Sequence, residues 1–387
     1  MARSYEAIVL GLGGMGSAAL YHLARRGVRV LGLEQFGVAH DRGSSHGETR
    51  IIRRAYFEHP DYVPLIESAF RHWHELEARQ DVVLFRRTGL MLAGDEQGAI
   101  ISGVRRAART HRIELEQLTA GESRARFDGL SPDDGSIVLF EPGAGLLFVE
   151  RCVAEHIRAA ENHGAIVKTG VSAVEWRIDG RGVRVRTGEG WFLAENLVIT
   201  AGAWSDRLLR SPGLPLEVRR KVVVWFNAPD RRHDIDSGFP IFGFDTGTRF
   251  FFGFPAMGEP AVKTCDHYGG QPVPDPSVVD RTLQQEDVAP LRELARRFLP
   301  GVWPEVARHS VCMYTMTPDE HFIIDRHPES NRVVIAAGFS GHGFKFASVV
   351  GSILADFVTI GRTTEPIDFL GVHRDGLTRR VDPHSTG

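Results

Sequence analysis

Lysine, cysteine and net charge are all scarce in this sequence, and each shortage narrows the range of possible functions. The 387 residues carry 46 Lys and Arg against 49 Asp and Glu, a net charge of −3. Such a balance gives no global electrostatic attraction to nucleic acid or to an anionic membrane. No apolar run reaches the ~18 residues of a transmembrane helix. Three cysteines are too few for a disulfide scaffold, which predicts a cytoplasmic protein.

Lysine accounts for only four of the 46 basic residues, Lys168, Lys221, Lys263 and Lys345. A general preference for arginine codons explains this imbalance without any functional meaning. Where arginine replaces lysine throughout a chain, however, a remaining lysine can mark a position that needs a compact ammonium group with an adjustable pKa. The scarcity therefore singles out these four positions.

The length and the order of predicted elements indicate two domains. The composition, 42% hydrophobic and 25% charged, is that of a globular protein, and 387 residues exceed one small core. Strands and helices alternate in residues 1–85, 145–215 and 310–365, which predicts one discontinuous, Rossmann-like nucleotide domain of α/β class. Residues 86–144 and 216–309 predict a second, mostly β-sheet substrate domain, followed by a C-terminal tail over 366–387.

A glycine-rich loop follows the first predicted strand. Gly11, Gly13 and Gly16 form G-x-G-x-x-G between that strand and a helix. The first glycine makes the tight turn, the second lets the backbone approach a pyrophosphate, and the third lets helix and strand pack closely. Glu34 ends the second strand, where a carboxylate can bind ribose hydroxyls and disfavours a 2′-phosphate. The motif predicts a bound dinucleotide and does not separate FAD from NAD.

Two further segments have plain interpretations from composition alone. Arg50 and Arg53 would share a face if residues 44–54 were helical, and arginine suits a carboxylate, but a solvated basic turn is slightly favoured. Cys312 reads as a small buried hydrophobe, the usual fate of a free cysteine. Cys265 and His267 form a C-x-H pair, but no second pair of ligands has zinc spacing, so no metal site is predicted.

Three blocks of sequence together resemble the monomeric sarcosine oxidase and N-methyltryptophan oxidase family of FAD-dependent amine oxidases. The blocks are the glycine fingerprint followed by H-G-E-T-R-I-I-R (46–53), C-M-Y-T-M-T-P-D-E-H-F-I-I-D (312–325) and A-A-G-F-S-G-H-G-F-K-F (336–346). E-P-G-A-G-L-L-F (141–148) and T-A-G-A-W (200–204) extend the similarity over nearly the whole chain. The resemblance implies the fold of D-amino-acid oxidase and glutathione reductase.

The resemblance also implies residue roles. It implies an FAD attached through a cysteine thioether at Cys312, and a substrate carboxylate held by Arg53 and Lys345. Lys263 matches the lysine that activates oxygen, with a strand-end surface lysine as the alternative. His267 matches a pocket histidine.

One position departs from the family pattern. Phe252 stands where sarcosine oxidases carry a tyrosine, which leaves room for a larger or more apolar amine. If the strand over Phe250–Phe254 alternates, one or two of its aromatic side chains face the site.

The sequence therefore predicts an enzyme that oxidises a secondary amino acid to an imine, reduces O2 to hydrogen peroxide and releases formaldehyde. The partners expected are a small amino acid and O2, with the chain as a monomer. Alternatives are a bulkier or cyclic amine (N-methyltryptophan, pipecolate, proline), an NAD-dependent dehydrogenase, or a non-enzymatic flavoprotein. Candidate catalytic residues are Lys263, Arg50 and His267. Candidate substrate-binding residues are Arg53, Lys345 and Phe252. Candidate cofactor-binding residues are Gly11, Gly13, Gly16, Glu34, His46, Thr49, Arg50, Cys312, Thr315, Gly341, His342 and Lys345.

Overall fold

The computed structural model describes residues 4–180, 182–209 and 213–377. Its strands are β1 Ser4–Leu10, β2 Val30–Leu33, β3 Thr49–Ile52, β4 Phe85–Arg87, β5 Leu90–Gly94, β6 Glu116–Leu118, β7 Ile137–Glu141, β8 Gly145–Phe148, β9 Ile166–Lys168, β10 Ala173–Asp179, β11 Gly182–Thr187, β12 Gly190–Ile199, β13 Glu217–Asn227, β14 Ile241–Asp245, β15 Phe250–Phe254, β16 Ala261–Asp266, β17 Gln271–Pro272, β18 Trp303–Met316, β19 Ile323–His327 and β20 Ser330–Ala337. Its α-helices are α1 Gly14–Arg25, α2 Tyr62–Gln80, α3 Ala99–His111, α4 Ala120–Arg126, α5 Val149–Asn162, α6 Ser205–Leu208, α7 Gln285–Phe298 and α8 Ala347–Thr359.

The first sheet contains the glycine loop. Its strand order is β10-β11-β12-β1-β2-β9, and β20 pairs with the end of β12 and with β19. Strand β1 lies parallel to both β12 and β2. Every residue of β2 is buried, as expected for a strand covered on both faces. This arrangement confirms the predicted α/β class, with α1 following β1 directly through the glycine loop.

The second sheet lies across the molecule from the first. Its order is β17-β13-β16-β15-β14-β5-β7-β6, with β18 paired to β13. Phenylalanines fill its core, and the rings of Phe244 and Phe298 stack 4.2 Å apart. The mostly β-sheet second part of the fold is therefore present. Its residue bounds remain a prediction, and β18 crosses the expected division between residues 309 and 310. The predicted tail over 366–387 lies partly outside the described residues.

A third, three-stranded sheet lies in the order β3-β8-β4. Thr49–Ile52 forms β3 and pairs antiparallel with β8. The helical alternative for residues 44–54 is therefore wrong, and so is the solvated basic turn, because Arg53 is only 5% exposed. In a strand, side chains three positions apart point to opposite faces. Arg50 and Arg53 consequently reach different parts of the structure.

A cluster of histidines joins helices α1, α2 and α5. The rings of His22 and His72 lie 5.0 Å apart, and Tyr21 contacts both His22 and His156. Burial lowers the pKa of His22 well below its ordinary value and that of His156 to about 3, and the neighbouring His72 lowers both further. These imidazoles are therefore neutral in the folded protein at pH 7.

Among the described residues, no helix is long and apolar enough to cross a membrane.

The histidine cluster should make stability depend on pH. Below pH ~6.5 the unfolded chain takes up protons that His22 and His156 cannot accept in the folded state, so the free energy of unfolding should fall as pH falls. His156→Phe should reduce that slope between pH 6 and pH 4 by up to ~1.4 kcal/mol per pH unit. Urea unfolding at several pH values measures it. His373→Phe, at an exposed position, should leave the slope unchanged; an unchanged slope in His156→Phe would contradict the assignment.

Candidate cofactor and substrate site

One continuous cavity runs from the glycine loop, between the first and second sheets, to the segment that follows β20. Nearly all of the residues singled out from the sequence line it, including Gly11, Gly13, Glu34, Thr49, Arg50, Arg53, Phe252, Lys263, His267, Cys312, Thr315, Gly341, His342 and Lys345. Gly16 and His46 are not among the lining residues. Gly16 packs against the loop, and His46 lies behind Cys312.

The three fingerprint glycines have different surroundings. Gly11 has a φ of +85°, and a Cβ there would lie 2.8 Å from Thr200 O. A Cβ on Gly16 would overlap Gly11 O, so α1 could not pack on β1. A Cβ on Gly13 would meet only Ser45 Oγ, at 3.5 Å. Gly13 is thus the position where the backbone stays open to the cavity, at the N-terminus of α1.

Glu34 lies at the end of β2 and is bonded to the loop beside it. Its carboxylate accepts hydrogen bonds from Leu12 N at 2.7 Å and Phe36 N at 3.0 Å, and His40 Nε2 lies 3.3 Å away. Burial alone would raise the pKa of Glu34, but the hydrogen bonds from His40, Leu12 and Phe36 outweigh burial and lower it. The carboxylate therefore stays charged where the first and second strands end.

Cys312 lies on β18 next to Arg50 and His46. Arg50 Nη2 is 3.5 Å from Cys312 Sγ, and His46 Nδ1 is 4.0 Å from it. Burial raises the pKa of the thiol, but Arg50, His46 and Lys263 outweigh that effect and lower it to about 6. In Cys265 and Cys152, by contrast, burial dominates and raises the pKa. The lowered pKa favours the thiolate of Cys312, which the interpretation of this residue as a small buried hydrophobe did not anticipate.

Lys263 lies on β16 and is 3% exposed, so the surface-lysine alternative is wrong. Its Nζ donates to Gly47 O and, at 2.9 and 3.1 Å, to the carbonyl and hydroxyl oxygens of Thr49. Nζ also lies 4.5 Å from the Phe254 ring centroid and 5.4 Å from that of Trp225. Burial, followed by repulsion from Arg50, lowers the pKa of Lys263 to about 7.

Arg53 and Lys345 form a second cationic group with Glu58. Arg53 Nη2 donates to both carboxylate oxygens of Glu58, at 2.9 and 2.7 Å, and Nη1 donates to Ala55 O. Within the described residues, Lys345 Nζ has one hydrogen-bond acceptor, His342 O at 2.8 Å. Burial and the charge of Arg53 lower the pKa of Lys345 to about 7, although Glu58 opposes the shift. Burial raises the pKa of Glu58, but Arg53, His342 and Lys345 bring it down to about 2.

Aromatic side chains form the wall of the cavity next to these charges. Phe250, Phe252 and Phe254 line it, whereas Phe251 belongs to the core of the second sheet, as strand alternation requires. The His267 ring lies 6.4 Å from Phe252, and burial lowers the pKa of His267 to about 3. The imidazole is therefore neutral at pH 7.

The segment after β20 closes the cavity on the other side. Gly341 has a φ of +81°, and a Cβ there would overlap the Tyr314 ring. Ser340 N donates to Thr315 O at 2.9 Å, which holds the segment to the end of β18. His342 Nδ1 is hydrogen-bonded to Tyr56 Oη at 2.5 Å.

The sequence analysis assigned no role to three residues of the site: Glu58, Tyr314 and Lys221. Nothing local marks Glu58, since its role depends on pairing with Arg53. Lys221 carried a signal in the scarcity of lysine, and three of the four lysines line this cavity. The fourth, Lys168, lies at the surface, 2.7 Å from Glu189.

Among the described residues, no group of three or more His, Cys, Asp or Glu side chains is arranged to hold a metal ion.

Comparisons with known proteins agree with this geometry. A family model described as FAD dependent oxidoreductase matches residues 6–357. Monomeric sarcosine oxidase of Bacillus sp. (strain NS-129) is 38% identical over 386 residues, 98% of this chain and 100% of that protein. N-methyl-L-tryptophan oxidase of Yersinia pestis (strain Pestoides F) is 37% identical over 363 residues, 91% and 94% of the two chains. Glycine oxidase from Geobacillus kaustophilus shares the fold, with a TM-score of 0.80 at 21% identity over 96% of this chain and 99% of that one.

Proposed function

Since the chain belongs to the FAD-dependent oxidoreductase family, we propose that it oxidises the C–N bond of a secondary amino acid, sarcosine or a similar N-methyl amino acid. The observation that carries the proposal is the pair of buried cations, Arg53 and Lys345, in the same cavity as the glycine loop. Two cations beside a neutral aromatic wall suit a small molecule with a carboxylate at one end.

The residues that line the cavity fit FAD. Gly13 leaves the backbone open at the N-terminus of α1, which suits a pyrophosphate, and Glu34 keeps a charged carboxylate at the position that suits ribose hydroxyls. Cys312 and Arg50 lie farther along the same cavity, where they would hold the flavin end. When bound, FAD supplies the acceptor for a hydride from the substrate and passes the two electrons to O2.

The charges of the cavity favour an anionic substrate end. Arg53 is balanced by Glu58, whereas the described residues give Lys345 a single carbonyl and no carboxylate within salt-bridge distance. A bound carboxylate would stabilise the protonated form of Lys345 and compete with Glu58 for Arg53. The attraction of both cations lowers the energy of the anion in a site that excludes water, and the pairing of Arg53 with Glu58 reduces the part that Arg53 contributes.

The same charges disfavour a positive amine. His267 is a weak base, since its pKa lies at about 3, so it is poorly suited to remove a proton from an ammonium. Repulsion from Arg50, Lys263 and Lys345 would instead make the substrate bind as the neutral amine. The amine carbon then gives up a hydride to form the imine. Water hydrolyses the imine to formaldehyde and the primary amino acid, and O2 takes two electrons and two protons to become hydrogen peroxide.

Anaerobic mixing with sarcosine tests the function. The visible absorbance of the flavin should bleach, and the rate should rise with pH as the neutral amine becomes more abundant. Arg53→Met should raise the sarcosine concentration for half-maximal rate by about 10- to 100-fold, because a charge-assisted hydrogen bond is lost. Arg79→Met, at an exposed Arg–Glu pair on α2, serves as the matched control and should change nothing.

The outcomes of this test separate the alternatives. Bleaching with N-methyltryptophan or pipecolate but not sarcosine would move the substrate to a bulkier amine, which Phe252 in the cavity wall favours. A protein that no secondary amine bleaches would refute the proposed function. An unchanged half-maximal concentration in Arg53→Met would remove Arg53 from the substrate site.

We further propose that FAD is attached covalently through Cys312. A buried thiolate beside Arg50 supports this, because the thiolate is the nucleophilic form of cysteine. Wild-type protein denatured and washed in acid should keep its yellow colour, and Cys312→Ser should lose it. Cys265→Ser, at a buried cysteine whose pKa is raised to about 11, is the matched control and should keep the colour. Loss of colour from the wild type would contradict the attachment.

Lys263 is proposed to promote the reaction with O2. The ammonium form of Lys263 would stabilise the negative charge that forms as O2 accepts an electron, and the carbonyls of Gly47 and Thr49 hold the ammonium in place. Lys263→Met should slow reoxidation of reduced enzyme by about 100-fold or more while flavin reduction changes far less. Anaerobic stopped-flow mixing with the amine measures the rate of flavin reduction, and mixing the reduced enzyme with O2 measures the rate of reoxidation. Lys168→Met should affect neither step; an equal loss in both steps of Lys263→Met would exclude the oxygen role.

We also propose that the protein is a monomer and that it works in a reducing cytoplasm. The printed name of a 38% identical relative, monomeric sarcosine oxidase, supports the monomer. All three cysteines are free, which suits a reducing compartment.

A further inference from the structure

Lys221 is a buried cation of the same cavity for which the proposed reaction has no use. It lies on β13, directly opposite Cys312 in the antiparallel pairing with β18. Its side chain is 4% exposed and lines the cavity. Burial lowers the pKa of Lys221, so the fold maintains this amine at a cost in desolvation. A cation retained at such a cost, in a chain with four lysines, calls for a specific role.

The contacts of Lys221 converge on one turn. Nζ donates to three successive carbonyls, His267 O at 3.2 Å, Tyr268 O at 2.6 Å and Gly269 O at 3.3 Å. The last of these residues, Gly269, and the next residue, Gly270, have φ values of +68° and +110°. Two consecutive glycines in this region make the turn intrinsically flexible. One ammonium group with three N–H donors fixes all three carbonyls, which the planar fork of arginine is not shaped to do.

The turn carries part of the substrate wall. His267 begins it, and the His267 ring lies 6.1 Å from Phe250 and 5.8 Å from Tyr314. Lys221 Nζ also lies 5.3 Å from the centroid of the Tyr314 ring. The rings of His267 and Tyr314 line the cavity. One ammonium group therefore contacts both residues, at the backbone of His267 and at the ring of Tyr314.

Lys221 and Lys263 act on different parts of the site. Lys263 bonds to Gly47 and Thr49, on the side of β3, whereas Lys221 bonds to the turn after β16. A change at Lys221 should therefore alter amine binding and leave the oxygen side undisturbed.

We propose that Lys221 is a positioning residue for amine recognition: by holding the turn of residues 267–269, it fixes His267 and Tyr314 against the substrate. This inference rests on the proposed function, since it assigns the wall to an amine substrate.

Lys221→Met removes the three donors while keeping a side chain of similar length. In anaerobic reduction experiments, the dissociation constant for the amine should rise by roughly 10-fold or more, because small displacements of the groups that contact the substrate weaken its binding. The rate of reoxidation by O2 should stay within about twofold of the wild type. Hydrogen exchange followed by mass spectrometry should show faster exchange over residues 266–270. Lys168→Met, at the surface lysine, is the matched control and should change none of the three.

The results separate the possible failures. Faster exchange with unchanged amine binding would make Lys221 merely structural, and an equal loss in both half-reactions would also overturn the proposal. Lys221→Gln, which keeps two N–H donors, should give intermediate values and replaces Lys221→Met if that variant does not fold. If no amine reduces the wild-type flavin, the proposed function fails, whereas the exchange measurement still decides whether Lys221 fixes the turn.

Discussion

The ammonium of Lys263 links the second sheet to the segment that begins the third. Lys263 belongs to β16 of the second sheet, and its hydrogen bonds reach Gly47 and Thr49 at the start of β3 in the third. Arg50, next along β3, reaches back to Cys312 on β18. Lys263 and Cys312 are therefore both held by the segment that leads into and forms β3. A shift of β3 relative to the second sheet would disturb both at once.

The cavity concentrates positive charge and stabilises it without an equal number of carboxylates. Backbone carbonyls accept from Lys221, Lys263 and Lys345, and aromatic faces cover part of each ammonium group. Carbonyls and rings supply partial negative charge only, so the cavity keeps a net attraction for anions. That attraction suits a substrate carboxylate and a flavin that becomes more negative as it accepts electrons.

Local sequence patterns identified much of the fold, and the limits of that identification have physical causes. The strand–glycine loop–helix unit and the alternation of Phe250–Phe254 follow from short-range periodicity, so both could be predicted. The strand at Thr49–Ile52 could not, because its partner β8 lies about 95 residues away and pairing overrides the local pattern. Glu58 and Tyr314 were missed for the same reason, since their roles arise from contacts across the chain. The lowered pKa of Cys312 depends on Arg50 and His46, which are distant in sequence.

The distribution of lysines has a practical consequence for handling the protein. Three of the four ε-amino groups lie inside the cavity, and Lys168, at the end of β9, is the lysine side chain that solvent reaches. Reagents that acylate amines should therefore label the folded protein mainly at Lys168 among its lysines. Coupling to an activated support through this side chain would orient the molecules alike. The strand β9 edge would face the support, and the lysines that serve the cavity would remain unmodified.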